Sequence, residues 1–132
     1  MKTNLDKDYK TNPILEKEGV DYHHSETVSF KVRRFNDSNP RIKAAMAHYY
    51  KPYARQMEMG TLPPEKTKEL GIRLFIDVCL VSWQGVEDEN GKPIEMTKEN
   101  AFEILKGLPD LFDGLWKHAN TFENYKDDVG NS

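Results

Sequence analysis

The sequence predicts a mainly α fold, a small helical domain of four to five helices preceded by an N-terminal β-hairpin. Three observations carry this. The stretch "GVDYHHSETVSFKVRRF" alternates apolar and polar residues with period two. Beyond Pro40, apolar residues recur at three- and four-residue spacing. Helix-start and helix-stop residues punctuate that second pattern at "NDSNP", "GTLPPEK" and "KGLPD". At 132 residues the chain fits one domain, able to bury roughly two-thirds of its unfolded surface.

Residues 1–18 mix charge with few apolar side chains and are expected to form a flexible arm, because little burial offsets the entropy of ordering them. The single domain spans 19–125. Its hairpin, 19–35, places Val28, Phe30 and Val32 on one face and Ser29, Lys31 and Arg33 on the other. Helices occupy 40–125. Asn39 is the expected N-cap of the first, with Pro40 at the first helical position, where a missing N–H costs nothing. The stripe Ile42, Ala45, Met46, Tyr49, Tyr50, Tyr53 and Met57 runs to Gly60, and Pro52 must kink or divide it.

The next helix is expected from Pro64 to Ser82. Its "LFIDVCLVSW" run is apolar almost all round, as suits a central helix surrounded by others. A buried strand is the runner-up for that run, disfavoured by its length and by the helical residues before it. Thr97 caps a helix over 98–107 with Ala101, Ile104, Leu105 and Leu108 on one face. The last helix starts at "LPDLF" and carries Leu111, Phe112, Leu115, Trp116, Ala119 and Phe122 toward Tyr125. Residues 126–132 read as a polar tail.

No apolar run approaches the ~18 residues of a membrane span, and "MKTNLDKDYKTNP" lacks a signal-peptide core. The expected location is therefore the cytoplasm in which the chain is made, with no membrane partner. Cys79, the one cysteine, sits in an apolar run and is expected to be a small buried residue. The formal net charge of -3 conceals a polarity: residues 1–26 carry 4 basic and 6 acidic side chains, 27–73 carry 10 and 4, and 74–132 carry 5 and 12. Such unlike segments either neutralise each other within the fold or drive binding to a charged partner, including head-to-tail homo-oligomers.

The segment "LVSWQGVEDENGKPIEMTKENAFEIL" tests for a calcium loop. With Gly91 at loop position six, Val86 and Thr97 fall on the two outer ligand positions, and starting from Asp88 places Lys92 and Pro93 on the fifth and sixth. Neither register supplies the ligands, so the loop is expected to hold no metal. A tight turn fits better, with positive φ at Asn90 and Gly91 and the exit fixed by Pro93. Trp83, Gly85, Asn90, Gly91, Pro93 and Thr97 are the structural residues of this region. Glu87, Asp88 and Glu89 are either a solvated rim or a patch offered to a partner.

His23 and His24 point to opposite strand faces and cannot clamp one ion, while His48 and His118 are isolated. No phosphate-binding glycine loop, nucleophile elbow or zinc-ligand series is present, so neither catalysis nor a cofactor is expected. "KVRRF" with Arg41 and Lys43 is basic, but the acidic balance and the lack of a base-reading element make nucleic acid an unexpected partner. Lys31, Arg33 and Arg34 are instead expected on the hairpin's wet face or against the acidic C-terminal half.

The order "RRFNDSNPRIKAAMAHYYKPYARQMEMGTL", "VSWQGVEDENGKPIEMTKENAFEIL", "LPDLFDGLWKHANTFENY" resembles the small tail assembly chaperones of long-tailed bacteriophages and prophages, over residues 28–125. The most specific part is Trp83, Gly85, Val86, Asp88, Gly91, Pro93 and Thr97, with Leu111-Phe112 and Ala119-Asn120 later. Gln84 and Gly114 depart from the pattern. The resemblance implies a non-catalytic protein of the host cytoplasm, absent from the finished virion. It would hold the helical tape-measure protein until tail-tube protein polymerises around it. A minor tail protein retained in the virion and an inhibitor of a host defence complex are the alternatives. On the chaperone reading, Phe102, Phe112 and Trp116 are expected to border a client groove between helix 98–107 and the last helix; filling the core is the other role open to them.

Overall fold

The computed structural model describes residues 1–127. In chain order the elements are α1 (Asp6–Tyr9), α2 (Pro13–Glu18), β1 (Val20–His23), β2 (Ser29–Val32), α3 (Arg41–Tyr50), a 3-10 turn (Lys51–Tyr53), α4 (Ala54–Met59), α5 (Pro64–Val78), β3 (Leu80–Gln84), α6 (Lys98–Gly107), α7 (Pro109–Ala119) and a second 3-10 turn (Phe122–Tyr125). The architecture is helical with a three-stranded antiparallel sheet of order β1-β2-β3, mixed rather than nearly all-α.

The hairpin forms as its alternation dictates, pairing Val20 with Val32 and Tyr22 with Phe30. Phe30 and Val32 turn inward, at 3% and 0% exposure. The third strand corrects the expected helix to Ser82. α5 ends at Val78, and Leu80–Gln84 pairs with β2, Phe30 opposite Trp83 and Val32 opposite Leu80. The reason lies outside the local sequence. A two-stranded hairpin leaves β2 with an unpaired edge of N–H and C=O groups, and Leu80–Gln84 is the segment that fills it. Beyond the buried Leu80, half-buried Val81 and Trp83 alternate with exposed Ser82 and Gln84.

α5 is central as expected, burying Leu70, Ile72, Leu74, Phe75, Ile76 and Val78. Phe75, fully buried, meets Phe112 and Trp116 edge to face at 5.5 and 6.2 Å. With Val32, Ala101, Leu105, Leu115 and Ala119 it forms the core between the sheet and α5–α7. Burying one such ring stabilises by about 2–3 kcal/mol. Pro52 divides the tyrosine-bearing helix through the 3-10 turn, and Gly60, at φ 69°, ends α4 in the left-handed conformation. α3 begins one residue later than expected, at Arg41, and Asn39, two residues before it, still caps the start, its Oδ1 accepting from Arg41 N at 3.0 Å.

The last helix is shorter than its apolar period suggests. It stops at Ala119, and the second 3-10 turn brings Tyr125 into complete burial, its hydroxyl donating to the Val32 carbonyl at 3.0 Å. At Gly114, which departs from the expected pattern, a Cβ would lie 2.9 Å from the Tyr22 hydroxyl at the end of that side chain.

Residues 1–18, expected as a flexible arm, carry two short helices tied to the opposite end of the chain. Asn12 N donates to the Tyr125 carbonyl at 2.7 Å, Thr11 bridges to Lys126, and Tyr9 stacks on Phe122. Glu16 accepts from Thr11 (2.8 Å) and Arg34 (2.9 Å). Burial alone would raise its carboxyl pKa, but these hydrogen bonds outweigh it and hold the group below its ordinary value. Arg33 Nε donates to the Lys17 carbonyl. Arg33 and Arg34 thus serve the N-terminal segment rather than the acidic C-terminal half. The attachments are mostly polar, which is why apolar periodicity did not reveal them. Of the expected polar tail, residues 128–132 lie outside the described residues.

His118 sits between β1 and the C-terminal turn. With hydrogen on Nε2, the tautomer its partners imply, it donates to the Val20 carbonyl (3.3 Å) while Nδ1 accepts from the Asn124 amide (3.2 Å). Burial lowers its pKa from the ordinary 6.5, and a proton on Nδ1 would face the Asn124 amide hydrogens. The unfolded chain therefore takes up this proton first. The contribution is complete above about pH 6.5 and is lost as pH falls from there through the folded value. The midpoint of thermal unfolding is expected to drop more steeply between about pH 7 and pH 5 in the native protein than in a His118→Gln variant. Parallel profiles would refute the assignment.

Candidate partner-binding groove

The acidic loop after β3 is a built turn. Asp88 Oδ1 accepts from Asn90 N (2.8 Å) and Lys92 N (2.9 Å), and Gly91 N donates to the Asp88 carbonyl (3.0 Å). Ile94 N donates to the Val86 carbonyl, and Glu87 bridges to Pro93. Gly91 takes φ 79°, but Asn90 does not share its positive φ, since no residue other than glycine does among those described. This is a three-residue loop closed by one left-handed glycine, not the two positive-φ positions the Asn-Gly pair suggested. Asp88 is thereby occupied with backbone donors. Trp83 Nε1 donates to the Ile94 carbonyl at 2.8 Å and clips the loop to β3.

Gly85 aims the loop. It has φ 77°, and a Cβ there would stand 1.9 Å from the Thr27 carbonyl oxygen, so β3 leaves the sheet directly over the β1–β2 turn. Thr97 caps α6 as expected, its hydroxyl accepting from Asn100 N at 3.0 Å. Pro109 occupies the first position of α7, so α6 and α7 meet at a corner around Leu108.

These features enclose an open groove of about 620 Å³ between the two loops of the sheet and the α6–α7 corner. Val28, Phe30, Val86, Ile104 and Leu111 form its apolar floor, and His24, Glu87, Asp88, Leu108 and Asp110 stand at its edge. Leu108 is 53% exposed. Helices 98–107 and 109–119 do border this groove, through Ile104, Leu108 and Leu111. Phe102, Phe112 and Trp116 do not line it. Phe102, at 9% exposure, faces α5 with the Arg73 guanidinium 3.8 Å above its ring. Phe112 opens toward a second depression along α5, and Trp116 packs at a tilt against Phe35, ring centroids 4.8 Å apart. Glu87 and Asp88 join the groove edge; Glu89 lies at the loop tip. Ile104 and Leu108 were legible as apolar helix positions, but the twist of α6 that turns them from α5 was not.

The polar groups elsewhere are engaged structurally. Tyr49 donates to Asp77, and burial together with that bond pushes its pKa up to about 12. Lys98 forms an ion pair with Asp77 at 3.0 Å without hydrogen-bond alignment. Burial likewise raises the Cys79 thiol to about 12, leaving negligible thiolate near neutrality. Among the described residues, no three His, Cys, Asp or Glu side chains converge on a metal position, and no helix is long and apolar enough to cross a membrane.

The fold and groove define a small α+β domain presenting an acidic-edged apolar cleft. The chain belongs to the YdaY prophage protein family, whose sequence model matches residues 37–131. Neither a curated protein nor a solved structure matches it.

Gly85→Ala is expected to lose more than ~2 kcal/mol of stability, since a rigid carbonyl occupies the Cβ position. Gly91→Ala, with open space around it, is expected to lose about 1 kcal/mol from its left-handed conformation alone. Urea unfolding of both variants measures the contrast, and equal losses would contradict the close approach at Gly85.

Proposed function

We propose that this prophage protein is a tail assembly chaperone. It binds the helical tape-measure protein, and through it meets tail-tube subunits, without catalysing a reaction. It works in the host cytoplasm and leaves before the particle is complete. The observation that carries this reading is the groove. Its apolar floor and half-exposed Leu108 suit an amphipathic helix laid along it, with its apolar side chains spaced three and four residues apart. Membership of a prophage family and the sequence resemblance to tail assembly chaperones point the same way.

The test is recovery of the tagged protein from cells in which the prophage is induced, with mass spectrometry of the eluate and of purified particles. A long helical tail protein in the eluate and none of this chain in particles is the expected result. Leu108→Asp, an exposed substitution, is expected to lower client recovery about tenfold, equivalent to ~1.4 kcal/mol. Fixed stoichiometry in particles would make the chain a structural tail protein and end the chaperone reading.

A further inference from the structure

α4 is six residues long and buries none of them. Isolated helices shorter than roughly a dozen residues are marginal in water, and helices in proteins draw most of their stability from a packed face. α4 is anchored at its ends, by Tyr53 under the Lys66 ammonium (5.0 Å) and by the Gly60 cap. Between these it projects Met57 and Met59, 46% and 64% exposed. Methionine fits irregular apolar clefts because its side chain is flexible and polarisable. The surrounding charge is positive: residues 41–60 carry Arg41, Lys43, Lys51 and Arg55 against Glu58. The groove has the opposite character, an apolar floor edged by Glu87, Asp88 and Asp110. None of its lining residues lies on α3 or α4, so the two surfaces are separate and unlike patches of one chain.

We infer that the α4 projection of one copy docks in the groove of a second copy. Met57 and Met59 enter beside Leu108, and Lys51 and Arg55 meet the acidic edge. The contact is heterologous. Each pair keeps a free α4 at one end and a free groove at the other, so copies add in a row unless the row closes into a ring. Exposed charges of opposite sign make the association salt-sensitive. The contact is measurable without any client, so its failure leaves the chaperone reading standing. A client helix in the same groove would compete with the row.

The experiment is sedimentation of the purified full chain over a concentration series, at low and at roughly molar salt. The mass is expected to rise past the dimer with concentration at low salt and to return to the monomer at high salt. Met57→Glu with Met59→Glu removes the projection, and Leu108→Lys blocks the groove; both change exposed residues. Each variant alone is expected to be monomeric and to keep the native circular dichroism. Their mixture is expected to form a one-to-one heterodimer and nothing larger, because each supplies the surface the other lacks. Three results would overturn the proposal: a native monomer at every concentration in low salt, a closed dimer that both variants retain, or no heterodimer on mixing folded variants. Native monomers combined with loss of client recovery in Leu108→Asp would assign the groove to the client alone.

Discussion

The junction at Val78–Cys79–Leu80, where α5 becomes β3, is the constraint on which the rest of the structure depends. Val78 and Cys79 are fully buried and Leu80 nearly so. Their backbone groups must find partners inside the protein, since an orphaned buried donor or acceptor costs about 1–3 kcal/mol. Asn39, itself 8% exposed, donates to the Val78 carbonyl at 3.1 Å and to the Arg34 carbonyl at 3.0 Å. Arg33 N donates to the Cys79 carbonyl at 2.7 Å. One asparagine thus holds the end of α5, the exit of β2 and the start of α3. The bulge between Lys31 and Val32 absorbs the change of register as β3 takes its place beside β2.

The groove follows from that junction. Once β3 is a strand, Trp83 packs edge to face on Phe30 at 6.1 Å, and Gly85 turns the chain across the hairpin loop. Had α5 continued to Ser82, Val86 and the acidic loop would sit at the end of a helix, with no sheet floor beneath them. The opposite wall comes from Pro109, which stops α6 from continuing into α7 and leaves Leu108 standing at the corner. The chemistry of the cleft is therefore shared between a strand exit and a helix corner about twenty residues apart in sequence. Charge follows the same division, with the cationic α3–α4 limb on a separate surface from the carboxylates of the groove.

Local signals read correctly wherever the interaction that decides an element lies within a few residues. The β1–β2 alternation, the break at Pro52, the Thr97 cap and the left-handed Gly91 are of this kind. Signals failed where the deciding partner is distant. The N-terminal segment is ordered by Glu16 against Arg34 and by Asn12 against Tyr125, polar contacts that leave no hydrophobic period. Ile104 and Leu108 share a helical stripe with Ala101 and Leu105, and Leu111 shares one with Phe112, Leu115 and Trp116, and periodicity cannot divide one stripe between core and cleft. The fold class was legible as helices after a hairpin; the residues of the candidate site were legible only in part, through the helices that carry them and through Glu87 and Asp88.

By itself the sequence determined the hairpin, the capped helices, the turn at Gly91 and the separation of basic from acidic limbs, because each depends on residue type and near-neighbour spacing. Only the tertiary structure decided that α5 stops at Val78 and that β3 completes a sheet, because an unpaired strand edge outweighs the helical preference of residues 79–82. It alone placed Ile104 and Leu108 on the groove and turned Phe102 toward α5. That choice is made by how α6 rotates against its neighbours to fill the core, and no residue in α6 specifies it alone.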